Sequence, residues 1–579
     1  MNNITACPLD CYDGCVIEYK NKEIKPSKSG YTNSFLCPLL NNYKNYKTIQ
    51  KPRYMGKDIS MQEALKILKE MIQKCQKQNI LHYRGSGNFG LMQEVVDHFF
   101  ASYGATLTDG SLCDGAGAAG ITEGRGSNKN PSLKTIKESE VIVFWGRNPH
   151  TTSSHILPLL KNKKIIVIDP LKTQIAKTAD IFVQIKPHYD MFLAMLLARF
   201  LYIQYDIDEE YLEKFGSEYE DFYELTQTIR IKSILQEADV SLGDIGRILD
   251  MVVGKKVVIL CGVGVQKYND GADILRAIDG FGVMLGLFGK RGCGVGYLAE
   301  SKAGITSPFC RDTKMVCKVD TEFEKFDMVF VQCANILSQM PNTKRVEKSI
   351  SKVKNVVYFG LYENQTSKIA DLVIPAKSFL YKDDIRTSYF HNGLMPMGSV
   401  DCCDIGISEW DLSSYLCGEF GVELEPLQYY LDYFESFGVK NSDAELVVKG
   451  REEIPYQNGF DTDDGEFVFL EEFDMPKHQE GKMFLITPKS AKSLNSQFCV
   501  DQFVYINPSV GFDDGEMVDI HSSVGSVKLI VKHDEDIRED CVLIYSGTKG
   551  VNNLTTSKHL AQGKNATYQQ EMVEIFNIE

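Results

Sequence analysis

At 579 residues the chain is too long for one hydrophobic core and divides into roughly three to four domains. Its composition, 43% hydrophobic and 24% charged, is that of a globular protein. A formal net charge of −15 excludes a general nucleic-acid or anionic-membrane role. No run of about 18 apolar residues is present, so no membrane insertion is expected. The first residues, Met1 to Thr5, carry no basic region, apolar run or twin arginine, and a cytoplasmic location is expected. The 16 cysteines then indicate metal ligands and buried thiols rather than a disulfide framework.

The first four of them, Cys7, Cys11, Cys15 and Cys37, follow C-x3-C-x3-C-x21-C spacing. Three close thiols and one distant one suit a cubane cluster with one cysteine per iron. Gly14, Pro8 and Pro38 suit tight turns around such a body. Structural zinc usually takes its ligands from two short C-x-x-C-like pairs, which this layout matches poorly; zinc and metal-free thiols remain the alternatives. Val16–Tyr19 and Lys22–Ile24 predict a hairpin. Ser60 and Glu63 form a capping box before an amphipathic helix carrying Ala64, Leu65, Leu68, Met71 and Ile72. Ile80–Arg84 predicts a buried strand, followed by the Gly85-Ser86-Gly87-Asn88-Phe89-Gly90 turn and a helix to Tyr103. A strand, a Gly-rich turn and a helix together offer backbone amides and a helix dipole to an anion.

Small residues dominate from Gly110 to Ile121, so the backbone there packs closely on something large. Cys113 sits in their midst, read either as a core cysteine or as a thiolate on a metal. Apolar strands follow at 141–146, 165–170 and 180–185, alternating with helices, which predicts a parallel α/β sheet. Ligands of such sheets lie at the carboxyl ends of the strands. Asn148, Asp169 and Asp190 sit just past those ends, where they accept from a ligand or cap helices. Residues 191–203 read as a buried helix, and 205–254 as charged helices without nameable chemistry. A second α/β set has strands at 328–332, 356–360 and 370–376. Residues 405–475 are acidic and read as solvated linker. From Lys482 short strands separated by Gly turns predict a β-barrel: 483–489, 503–506, 517–521, 527–531 and 542–545.

The stretch C-P-L-D-C-x-D-x-C followed by F-L-C-P resembles the N-terminus of the molybdopterin oxidoreductases, the group of formate dehydrogenase, DMSO reductase and nitrate reductase. The later motifs follow in that family's order. The resemblance implies an α/β multidomain protein with a small N-terminal iron–sulfur domain, two Rossmann-like α/β domains with an internal repeat, and a C-terminal β-barrel. It implies a [4Fe-4S] domain at 1–50 and a discontinuous α/β domain at 51–112 and 325–475 binding one pterin dinucleotide. A second α/β domain at 113–324 would bind the other, and 476–579 would be the dinucleotide-binding barrel. The implied function is two-electron redox of a small molecule at molybdenum or tungsten held by bis-molybdopterin guanine dinucleotide, with a separate protein as electron partner. Cys7, Cys11, Cys15 and Cys37 would hold the cluster, Cys113 the metal, and Asp114 would carry protons or itself ligate. Gly87, Asn148, Asp169, Asp190, Asn335, Glu363, Thr366, Thr487, Lys489, Asn495 and Asn552 would contact the dinucleotides.

Four departures stand out. Asp114 replaces the histidine that formate dehydrogenases carry beside the ligand, which puts formate in doubt. Pro187-His188-Tyr189-Asp190 replaces Pro-Gly-Thr-Asp. Tyr381 occupies the place of a glutamate, and Arg386 and His391 follow without an assigned role. Leu39 replaces a cation two residues after the fourth cysteine, with Lys44 as a candidate substitute. These departures leave an alternative: a non-catalytic electron-transfer or scaffold subunit that keeps the fold.

Overall fold

The computed structural model describes residues 3–27, 35–205, 207–440, 446–498, 501–558 and 561–578; the side chain of Lys44 lies outside the described residues. The chain is a mixed α/β protein with a closed β-barrel at its C-terminal end. It forms two compact units. One comprises Met1–Gly110, Ser301–Arg451 and Ala491–Cys499; the other comprises Ser111–Glu300, Glu452–Ser490 and Val500–Glu579.

The first unit is built on an eight-stranded sheet. Strands Met315–Cys317, Thr106–Asp109, Ile80–Arg84, Met328–Gln332, Asn355–Gly360 and Leu372–Pro375 run parallel in that order. Arg53–Tyr54 and Lys57–Asp58 add an antiparallel edge. The central strands are apolar runs buried on both faces, as parallel strands under covering helices are. Helix Met61–Gln73 opens with the expected capping box: Glu63 N donates to Ser60 Oγ at 3.2 Å, and Ser60 N to Glu63 Oε2 at 3.1 Å. A small antiparallel sheet of Ile4–Ala6, Val16–Lys20 and Glu23–Pro26 contains the predicted hairpin. Cys7, Cys11 and Cys15 lie on the loop between its first two strands.

The second unit holds a five-stranded parallel sheet in the order Ile181–Val183, Lys164–Ile168, Val141–Trp145, Val257–Cys261, Gly294–Gly296. Its barrel runs Met483–Ile486, Cys541–Leu543, Phe503–Ile506, Ser526–His533, Met517–His521, Met572–Asn577. The closing strand Met572–Asn577 escapes a sequence reading because only Val573 in it is fully buried. Among the described residues no helix is long and apolar enough to cross a membrane.

The acidic stretch expected to be a linker is folded. Helices Glu409–Phe420 and Leu427–Glu435 bury Leu412, Leu416, Tyr430 and Phe434 in the first unit, each pair four residues apart. Phe460, Phe467, Phe469 and Leu470 are buried in the core of the second unit. Counting charge hid these apolar spacings, and Glu409 is buried because Lys382 pairs with it.

Within the second unit, helix Gly115–Arg125 lies against helix Gly271–Met284. A Cβ on Gly120 would stand 2.1 Å from the Ala272 carbonyl oxygen, so only glycine permits this approach. The same helices share a buried ion pair, Arg125 Nε to Asp279 Oδ2 at 2.7 Å, and the guanidinium also donates to the Val295 carbonyl at 3.1 Å. Gly120→Ala is expected to cost about 1–3 kcal/mol or more by overpacking. Denaturant titration measures this, and an unchanged midpoint would mean the helices separate freely.

Candidate functional site

In the first unit the four N-terminal thiols are mutual neighbours. Cys15 is held well above the ordinary thiol pKa by burial and then by the charges Cys7, Cys11, Asp13 and Cys37 would carry. Burial dominates for Cys7 as well, with Cys11 and Cys37 next to it, and Cys11 is pushed up to about 11. Their surroundings include Ala6, Leu9, Leu40, Tyr43 and Phe379. Among the described residues none of the four is in a disulfide. Backbone amides already face two of the sulfurs: Leu9 N to Cys7 Sγ and Leu40 N to Cys37 Sγ, both at 3.5 Å. Among the described residues no three His, Cys, Asp or Glu side chains close on one point as ligands of a single ion do.

The loop carrying these thiols is fastened by a distant segment of the same unit. Arg386, fully buried, donates from Nη1 to the carbonyls of Cys7 and Leu9, the latter at 2.9 Å. Ser388 Oγ donates to the Tyr12 carbonyl at 3.2 Å. His391 Nε2 faces the carbonyls of Asp13 at 2.9 Å and Gly14 at 3.2 Å, so that nitrogen carries the ring proton. Asp384, from the same segment, accepts from Met92 N at 2.9 Å and Asn88 Nδ2 at 3.3 Å, bracing the Gly-rich turn. Sequence reasoning noticed Arg386 and His391 and gave them no role. Their partners lie more than 370 residues away, and no local signal connects them.

A cavity of about 420 Å³ lies in this unit, lined among others by Gly87, Asn88, Asn335, Glu363, Lys382 and Ser496. Gly87 is left-handed (φ +57°), and a Cβ there would strike Gln93 Oε1. Asn335 Oδ1 accepts from Thr366 Oγ1 at 3.1 Å, and Asn335 Nδ2 donates to Gln365 Oε1 at 2.7 Å and Ser496 Oγ at 3.3 Å. Glu363 lines the cavity but its carboxylate is engaged by Arg53 and by Ser367 Oγ at 2.7 Å. Asn495 is left-handed (φ +50°), in a tight turn closed by Leu494 and Gln497, beside rather than in the cavity wall. Sequence reasoning missed Lys382 as a member of this wall.

In the second unit Cys113 stands on a turn organised by Ser111. Ser111 Oγ accepts from Cys113 N at 3.0 Å and Asp114 N at 3.2 Å and lies 3.0 Å from Asp114 Oδ1, to which it donates. Asp114 precedes helix Gly115–Arg125, and Gly115 N donates to Asn565 Oδ1 at 3.0 Å. Gln266, fully buried, donates from Nε2 to the Cys113 carbonyl at 2.6 Å and accepts from Gly117 N at 3.0 Å. Burial is the first cause raising the phenol pKa values of Tyr297 and Tyr568, followed by Asp114 and then Cys113 for Tyr297 and by Cys113 for Tyr568. The Tyr297 hydroxyl and Thr487 Oγ1 are buried without a hydrogen-bond partner. Lys489 lies within electrostatic reach of Lys267, and both belong to this unit. Asn552 is elsewhere on the barrel segment, with Oδ1 accepting from Thr555 Oγ1 at 3.2 Å.

At the carboxyl edge of this unit's sheet, Asn148 follows strand Val141–Trp145, and its Oδ1 is buried without a partner. Asp169 and Asp190 are brought together: Asp169 accepts from Leu171 N at 2.9 Å, and Asp190 from Trp145 Nε1 at 2.7 Å. Burial raises both, Asp169 to about 7 with Asp190 adding to it, and Asp190 to about 6. Asn148 and Asn335 occupy equivalent turns. Each is the N-cap of a four-residue helix, and each follows a strand by way of a left-handed residue, Gly146 (φ +60°) or Cys333 (φ +51°).

The raised Asp169 carries a stability consequence. Unfolded, it titrates near 3.8; folded, near 7. Between those values the folded state holds the extra proton, so stability falls as pH rises. Asp169→Asn is expected to flatten the fall of Tm between about pH 4 and 7 in nucleotide-free protein; an unchanged slope would clear Asp169 of that role.

The molybdopterin oxidoreductase family profile matches residues 55–416, and the molybdopterin dinucleotide binding domain profile matches residues 483–570. The probable oxidoreductase YyaE of Bacillus subtilis (strain 168) is 25% identical over 548 residues, 85% of this chain and 82% of that protein. The assimilatory nitrate reductase catalytic subunit of the same organism is 22% identical, over 63% of this chain and 58% of its own length. The F420-dependent formate dehydrogenase subunit alpha of Methanocaldococcus jannaschii is 23% identical, over 55% and 51%. The chain thus spans less than two thirds of those two enzymes. The acetylene hydratase from Pelobacter acetylenicus shares the fold with a TM-score of 0.73 at 15% identity, over 100% of both chains. With one profile spanning well over half of its length, the chain belongs to the molybdopterin oxidoreductase family.

Proposed function

We propose that this oxidoreductase carries out a two-electron redox reaction of a small molecule at molybdenum or tungsten held by two molybdopterin guanine dinucleotides, with electrons relayed through a [4Fe-4S] cluster to a partner protein. The observation that carries the reading is the set of four mutually adjacent thiols, outside any disulfide among the described residues, in an apolar shell. Buried thiols ionise only when a metal takes their charge. A cubane needs the four sulfurs around a body rather than on one point, and amides aimed at the sulfurs are the usual support for its charge. Arg386, Ser388 and His391 would hold that loop, and residues 1–50 would form the cluster domain.

The residues also fit the dinucleotides. Guanine and pterin edges present N–H donors, and Asn148 Oδ1 and the Asp169 carboxyl are acceptors short of donors. Asn335 and Glu363, in the wall of the cavity with Gly87, would serve the other dinucleotide, with Thr366 holding Asn335 and Asn495 on the turn beside the wall. The matching turns at Asn148 and Asn335 support an internal repeat, with one half for each nucleotide. Thr487, Lys489 and Asn552 would supply the barrel's contacts.

At the reacting end, a soft thiolate suits a metal whose other donors are dithiolenes. Cys113 is presented for this on a turn set by Ser111 and pinned by Gln266. Ser111 orients Asp114, which would hold the exchanged proton at Oδ2. When bound, the metal–pterin centre supplies the electron-pair chemistry, and the chain binds, orients and excludes water.

Anaerobic protein from a host that makes the cofactor is expected to contain about four irons, one molybdenum or tungsten and two GMP per chain. Four irons with neither metal nor GMP would sink catalysis and favour an electron-wire subunit. Cys113→Ala is expected to abolish turnover while leaving iron unchanged; full turnover would remove Cys113 from the chemistry.

A further inference from the structure

Arg386 is fully enclosed, and a guanidinium does not shed its charge by deprotonation. Its Nη1 donates to the Cys7 carbonyl and, at 2.9 Å, to the Leu9 carbonyl. Its Nε donates to the Thr387 carbonyl at 3.3 Å, and Nη2 is buried without a partner. The centre of the Phe89 ring stands 5.3 Å away. All of these neighbours are neutral. Among the described residues no carboxylate pairs with this guanidinium, although Asp13 is buried on the same loop. Two other buried cations are treated differently: Arg125 pairs with Asp279 and Lys382 with Glu409, and both acids are buried as well.

Dipoles soften the cost of enclosing a charge but leave the charge standing. Fastening the loop does not need one. Ser388 Oγ does so at the Tyr12 carbonyl, and His391, whose burial favours the neutral ring, does so at Asp13 and Gly14. The missing negative charge is found in what the loop carries. Leu9, whose carbonyl Arg386 binds, turns its N–H to Cys7 Sγ at 3.5 Å, and Cys7 N donates to the Cys15 carbonyl at 2.8 Å. The guanidinium is thus built into the turn of Cys7, Cys11 and Cys15. A cubane on four thiolates has two negative charges when oxidised and three when reduced.

We propose that Arg386 is the counter-charge of the iron–sulfur cluster and raises its reduction potential. This rests on the reading above in placing a cluster on the four thiols. One added electron brings one added negative charge, so a fixed positive charge nearby stabilises the reduced form more than the oxidised one. Because the guanidinium is enclosed, salt screens the effect little.

The test uses full-length holoprotein prepared anaerobically, with Arg386→Gln and Arg386→Lys. Gln keeps an amide donor for the carbonyls and drops the charge, whereas Lys keeps the charge. Iron and sulfide are measured first. The cluster is then titrated with dithionite through mediators and followed by EPR, at low and high salt. Arg386→Gln is expected to shift the reduction equilibrium towards the oxidised cluster on the order of tenfold, a potential lower by about 59 mV. Arg386→Lys should stay close to wild type, and the shift should persist at high salt. The sign separates charge from fastening: a loop that only loosened would admit water, which favours the more highly charged reduced cluster and moves the potential up. An unchanged or raised potential in Arg386→Gln overturns the proposal, as does an equal fall in Arg386→Lys. If Arg386→Gln holds no iron, Arg386→Lys decides: iron retained at an unshifted potential supports the counter-charge, and loss of iron there too marks a fastener and overturns it. Wild type without iron and sulfide would defeat the cluster reading and this proposal together, whereas a cluster with an unmoved potential defeats the proposal alone.

Discussion

Arg386 spends its guanidinium on backbone carbonyls of the thiol loop. It is completely enclosed, so its charge is offset by those carbonyls and by the Phe89 ring, whose centre is 5.3 Å away. One hydrogen bond to a carbonyl is modest in net terms, but a buried charge left without partners costs far more. The loop and the arginine therefore hold each other in place. Asp384, Ser388 and His391, from the same short segment, brace the Gly-rich turn and the rest of the loop. The loop carrying Cys7, Cys11 and Cys15 and the Gly-rich turn at the cavity wall are thereby held by one stretch of about eight residues, itself packed in the core of the unit through Ile385.

The second unit uses a different device. Here close backbone packing does the positioning: Gly120 against Ala272 draws two helices together, and Gln266, carried on the turn just before the second of them, reaches the Cys113 carbonyl. Two buried polar atoms without a hydrogen-bond partner stand out by their position. Asn148 Oδ1 lies at the carboxyl edge of the sheet, and Tyr297 is near Cys113 and Asp114. Buried groups without partners are rare in folded proteins and mark places where something else completes the structure.

Much of this was legible in the sequence because the signals are local. The capping box at Ser60, the apolar strands and the Gly-punctuated barrel strands depend on neighbours within a few residues, and they appear as read. Asn148 and Asn335 stand just past strand ends, as the local pattern of a strand followed by Asn-Pro or Asn-Ile indicates. The acidic stretch after 405 was misread because its charge was weighed before its spacing: Leu412 and Leu416, or Tyr430 and Phe434, are one helical turn apart. Glu409 looks solvated until its partner Lys382 is known. Long-range partners account for the remaining gaps. Arg386 with Cys7, Gln266 with Cys113 and Lys267 with Thr487 join residues between about 150 and 380 positions apart, and nothing in a single sequence ties such residues together.

The separation of Arg386 from the loop it fastens has a consequence during synthesis. A ribosome delivers the chain from its N-terminus, so Cys7 to Cys15 emerge first and their clasp emerges more than 370 residues later. At roughly 5–20 residues per second that interval is tens of seconds. Throughout it the thiols stand on an unfastened loop, open to solvent, oxidants and metal donors. The first unit also takes its last segment, Ala491–Cys499, from beyond most of the second, so neither unit closes before nearly the whole chain is made. The protein is thus made with these thiols unguarded until late in its synthesis, and reducing conditions at that stage keep them from pairing wrongly.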